Sequence, residues 1–179
     1  MLFPAWETFY IIVGPSGGAL TGLMFVVIAL VPDIGGSARQ IDAFATPTVV
    51  HFSAALLLSI IVTAPWPAMP AASLALAAFG AAGTVYMLLV LGRTRSQTEY
   101  TPVFEDWLFY TTLPLAAYLA VVPAAVGLPR YTPQCLFVIG TVAVLLLLVG
   151  IHNAWDIVRY IVIRRLEGGG TRSDPDTTR

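Results

Sequence analysis

Apolar runs of near-spanning length alternate along this chain with short polar, glycine-rich or proline-rich breaks. The first run, about Phe9 to Val31, is closed by Pro32-Asp33 and Gly35-Gly36. About 20 helical residues cross a hydrocarbon core, so this run is long enough to span one with some tilt. A polar loop, Asp33 to Asp42, follows. Thr46-Pro47 then opens a second helix reaching about Thr63, since proline suits a first helical turn. Pro65-Trp66-Pro67-Ala68-Met69-Pro70 reads as a tight turn, with Trp66 placed for an aromatic belt.

The third predicted helix, about Ala71 to Leu91, is dominated by alanine and glycine, and the loop after it, Gly92 to Thr101, carries Arg93, Arg95 and Glu99. The fourth begins between Pro102 and Trp107 and ends near Val126, with Pro114 and Pro123 expected to kink it. After a turn from Gly127 to Pro133, the fifth runs unbroken to Arg165. That is too long for a bilayer, so its end should project into water. Residues 1–167 therefore read as a single five-helix domain, and 168–179, polar and rich in Gly and Asp, as a disordered tail.

Composition agrees with this pattern. Of 179 residues, 58% are hydrophobic and 11% charged, with mean hydropathy +0.82, whereas a soluble domain carries about 25% charged residues. The expected class is an all-α integral membrane protein with the lipid bilayer as its first partner. A net charge of −1 lacks the basic footprint of a nucleic-acid binder. One cysteine, Cys135, excludes an intrachain disulfide and a CxxC pair, and the absence of lysine excludes a Schiff base. No Lys or Arg precedes Arg39, and the first run outlasts a signal-peptide core, so it reads as a retained helix.

The arginines set an orientation. Seven of them, Arg39, Arg93, Arg95, Arg164, Arg165, Arg172 and Arg179, fall on one side of the predicted topology, and Arg130 alone falls opposite. The positive-inside rule puts the N-terminus outside and the C-terminus in the cytoplasm, in a plasma (bacterial inner) membrane.

Depth can then be assigned to the polar residues. His51 lies about 8 Å into the second helix from the cytoplasm, and His152 about 28 Å along the fifth from outside. Glu105 and Asp106 stand at the cytoplasmic start of the fourth. Both histidines, Glu105, Asp106, Asn153 and Asp156 are thus expected at one level, from three helices. Within the stretch from Gly150 to Arg159, His152, Asp156 and Arg159 share a face at i, i+4 and i+7, and Asp156 can pair with Arg159. Ionisable groups at membrane depth mark functional sites by default.

This cluster fits a gate, proton relay or ion site in a small oligomeric channel or transporter. His51, His152 and Asp156 could instead hold a metal ion in a membrane-embedded enzyme, although no HxxxH or ExxH pair occurs within a helix. A third reading is a non-catalytic scaffold or accessory subunit, and on balance the residues do not point to an enzyme. In the first helix Gly14, Gly18 and Gly22 recur every four residues, with Ser16 and Thr21 between them. That is small-xxx-small spacing, suited to helix packing or to lining a pore between copies of a homo-oligomer. Gly14-Pro15-Ser16-Gly17-Gly18 also matches GxSxG, but Ser16 lies about 10 Å from the outer face, far from either histidine, and nucleophilic catalysis is not expected.

Overall fold

The computed structural model describes residues 2–29, 38–95 and 107–170, with side chains over 2–29, 46–92 and 107–163; every regular element among them is helical. A 3-10 turn, Pro4–Trp6, leads into α1 (Glu7–Ala29). α2 spans Ala38–Thr63, and α3 spans Met69–Arg95. A π turn, Leu108–Thr112, leads into α4 (Leu113–Gly127), and α5 runs from Thr132 to Gly170. Five stretches of the described chain, 4–29, 46–63, 69–92, 108–127 and 132–163, are long and apolar enough to cross a membrane.

Several helix ends differ from the sequence expectation. α2 begins at Ala38, so Pro47 sits inside the helix rather than opening it. A proline there removes one backbone N–H donor, and the turns on either side of it stay helical. α3 continues past Gly92 to Arg95, since one interior glycine weakens a helix by only about 1 kcal/mol. α5 continues through the expected disordered boundary to Gly170, and 171–179 lie outside the described residues. At 39 residues α5 is about 58 Å long, nearly twice a hydrocarbon core.

Pro114 does not interrupt a helix. It stands in the first turn of α4, directly after the π turn. There the Leu113 N–H donates to the Leu108 carbonyl five residues back, and the Thr112 hydroxyl donates to the Trp107 carbonyl at 3.1 Å. The wider turn takes up the place where the proline ring would otherwise crowd the preceding carbonyls.

α5 is the central element. α2 and α4 pack along it, α1 lies on the far side of α2, and α3 on the far side of α4. α1 scarcely touches α5, and α3 scarcely touches α2. The hairpin joining α4 to α5 is closed by the Arg130 and Tyr131 N–H groups, both donating to the Gly127 carbonyl. Between α2 and α3, Trp66 Nε1 donates to the Ile61 carbonyl at 2.6 Å, folding the indole back over the end of α2. Trp6 stacks edge-on against Phe9 and Phe137 and lies over Gly140, which ties the start of α1 to α5.

Candidate functional site

Two ring contacts align three helices. Phe52 of α2 lies against Gly150 of α5, where an added Cβ would fall 2.5 Å from the ring. Phe109, in the π turn before α4, stacks on His152 with ring centroids 3.7 Å apart. Residues 51–52, 109–111 and 150–153 therefore share one height to within about a helical turn, about 5.4 Å. His51, His152 and Asn153 lie at that common level, as their depths in the sequence implied. Glu105 and Asp106 lie outside the described residues.

The inner side of this level is buried and polar. His51 is fully buried, and its Nδ1 is 3.1 Å from the Tyr118 hydroxyl of α4. The Tyr118 ring is seated on α3, against Gly83, where an added Cβ would run into the ring, and 5.9 Å from the Phe79 ring centroid. If the hydroxyl donates to Nδ1, the other nitrogen carries the ring proton; if Nδ1–H donates, Nε2 is an acceptor. In either tautomer Nε2 is buried with no partner among the described residues. Asn153 is likewise fully buried, and neither Oδ1 nor Nδ2 has a partner among the described residues. Each such orphaned group costs on the order of 1–3 kcal/mol, so native proteins rarely keep them without a use. Thr48, one turn before His51, and Thr111, two turns before Tyr118, are also buried here.

The outer side is half-exposed. His152 Nε2 is 3.5 Å from Asp156 Oδ2, one turn further along α5. The expected Asp156–Arg159 pair does not form: the Asp156 carboxylate turns back towards His152, and Arg159 is exposed. The i, i+4 spacing stacks His152 and Asp156 directly over one another. The metal set His51, His152 and Asp156 is not assembled, because no three His, Cys, Asp or Glu side chains among the described residues are grouped to hold an ion. His51 faces α4 through Tyr118, whereas the His152–Asp156 pair lies at the rim of α5.

The small residues of α1 pack differently from their sequence spacing. Gly14 and Gly17 are the buried pair, with Gly17 against the backbone of α2 at Phe52 and Leu56. Gly18 has only an ordinary contact with Leu56, and Gly22 faces open space. The four-residue stripe is thus not the contact line, because Gly17 lies closest to α2 and is offset from it by one residue. Ser16 turns its hydroxyl to the Ile12 carbonyl and Thr21 to the Gly17 carbonyl, both bonds within α1.

Tyr118, Phe52 and Phe109 were not legible as site residues. Aromatic side chains in apolar helices carry no polar signal, and only the seven-residue spacing of Thr111 and Tyr118 hints at a shared face. Two further buried hydroxyls, Tyr10 and Ser73, also lack partners, but each stands alone. The site and fold together define an all-helical protein with five helices suited to spanning a membrane and a buried imidazole–phenol–amide layer. Compared with protein-family models, curated proteins and solved structures, the chain has no significant match.

Proposed function

We propose that this is a small membrane transport protein in which the layer around His51 and Asn153 handles the permeant. The observation that carries the reading is that two fully buried side chains on neighbouring helices, at one height, keep three polar atoms without a partner among the described residues. In a bilayer such groups persist where they serve a pathway. The handling site then lies among α2, α4 and α5. The outer faces of α1 and α3, lined by Ile11, Ile12, Leu23, Leu74, Val85 and Leu89, are exposed and apolar, and they take lipid or further copies in a homo-oligomer.

The arginine distribution supports a topology with the N-terminus outside and the layer near the cytoplasmic face. His152 and Asp156 would form its rim on that side. Reporter fusions at each terminus test the orientation: a cytoplasmic signal from the N-terminal fusion would reverse it.

Flux in proteoliposomes tests the function. Transport that disappears in His51→Gln and Asn153→Leu, with both proteins still folded, is the expected result. If the wild-type chain transports nothing and the same substitutions change only the melting temperature, the layer is a packing device and the chain a scaffold.

A further inference from the structure

We propose that the permeant bound in this layer is the proton, delivered to His51 by a water that bridges its free ring edge and the Asn153 amide. The inference rests on the transport reading and specifies its substrate. The three free atoms are an amide oxygen that only accepts, an amide nitrogen that only donates, and an imidazole nitrogen that does either according to tautomer. That combination fits water, which donates and accepts at once and needs two to four polar partners to be held inside a protein.

Other permeants fit it poorly. A dehydrated alkali cation needs several oxygens, which membrane transporters supply from unwound backbone. Here α2 and α5 run through the layer unbroken, so their carbonyls are engaged in helical hydrogen bonds. At the π turn, the irregular stretch at this height, the Trp107 and Leu108 carbonyls are taken by the Thr112 hydroxyl and the Leu113 N–H. None of the buried polar side chains among the described residues is a carboxylate; they are Thr48, His51, Ser59, Thr111 and Asn153. Asp156 is at the half-exposed rim, occupied by His152. An anion would meet the Asn153 carbonyl oxygen, and no Arg or Lys is among the buried side chains of the described residues to offset it.

Imidazole can take up a second proton and give it back, which the amide and hydroxyls around it cannot. With Nδ1–H donating to Tyr118, a protonated water reaching the layer gives its proton to Nε2 and remains as neutral water, and the imidazolium then gives a proton to a neutral water leading to the opposite side. Tyr118 holds Nδ1 and so fixes the ring with Nε2 free. Asn153 is a positioning residue, acting on the water rather than on the proton.

The test uses the purified full chain in liposomes, with an internal pH-sensitive dye after an acid step and, in parallel, sodium and potassium tracer uptake. Wild type, His51→Gln and Asn153→Leu are compared, each checked for folding by thermal melting. Leucine matches asparagine in shape and leaves no unpartnered polar atom, so Asn153→Leu should melt no lower than wild type. Proton flux falling at least tenfold in both variants, with alkali-cation uptake at background throughout, is the expected result. Alkali-cation uptake abolished by both variants overturns the proton assignment while leaving the transport reading intact. Proton flux unchanged in folded Asn153→Leu overturns the bridging water. No flux of any of the three ions overturns both readings.

Discussion

Gly17→Ala should drive α1 and α2 apart, whereas the same change at Gly22 should be harmless. At position 17 a Cβ would stand 2.7 Å from the Phe52 carbonyl oxygen and 3.2 Å from the Leu56 nitrogen. Both are backbone atoms of α2 and cannot swing aside. The first is about 0.7 Å short of an ordinary 3.4 Å contact, so the helices must separate along a closely packed interface. Overpacking of this kind costs roughly 1–3 kcal/mol. Both substitutions gain up to about 1 kcal/mol from alanine's helix preference, so the gap between them is the overpacking term alone. With each kcal/mol worth about 2–4 °C for a chain of this size, Gly17→Ala should melt about 2–12 °C below Gly22→Ala. Gly18→Ala, whose Cβ would meet Leu56 at 3.7 Å, should behave like Gly22→Ala. Tryptophan fluorescence of the detergent-purified proteins during heating reads the series. A drop at Gly18 or Gly22 as large as at Gly17 would refute the reasoning and place the close partner on the opposite face of α1, as a stripe packing against a second copy requires.

Three further substitutions probe the layer. Tyr118→Phe removes the hydroxyl that bonds His51 Nδ1 and should lower stability by about 1–3 kcal/mol; unchanged melting would mean that the hydroxyl is not bonded to Nδ1. Gly83→Ala puts a methyl group into the Tyr118 ring and should destabilise by about 1–3 kcal/mol. In a double-mutant cycle with Tyr118→Leu most of that loss should vanish, and strict additivity would contradict the seating of the ring on α3. Asp156→Asn breaks a half-exposed pair at 3.5 Å and should shift stability by less than about 0.5 kcal/mol. A larger loss would show that the carboxylate has a role beyond pairing with His152.

The polar layer was half legible. His51, His152 and Asn153 stand out from apolar surroundings in the sequence, and counting residues along helices of opposite direction placed them at one height. Counting fixes position along a helix axis well because the rise per residue is constant. It fixes direction around the axis poorly once helices tilt and meet several neighbours. That is why the metal set, drawn from α2 and α5, does not converge, whereas His152 and Asp156, counted onto one face of a single helix, do meet.

By itself the sequence determined the helical class, the number of spanning runs and the approximate breaks between them. These depend on apolar composition and on Pro and Gly placement, which are local. The helix ends at Ala38 and Arg95 were missed because a lone proline or glycine weakens a helix without stopping it, and α5 runs on into Gly168-Gly169-Gly170, where composition alone suggested a tail. Only the tertiary structure decided which side chains meet. Gly17 rather than Gly18 became the point of closest approach, because the rotation of α1 against α2 is set by packing along the whole interface. The Tyr118–His51 bond joins residues 67 positions apart, on helices brought together by their shared packing on α5. No local pattern encodes that choice, since every apolar face of these helices offers similar chemistry and only the fit of the rings and glycines distinguishes one from another.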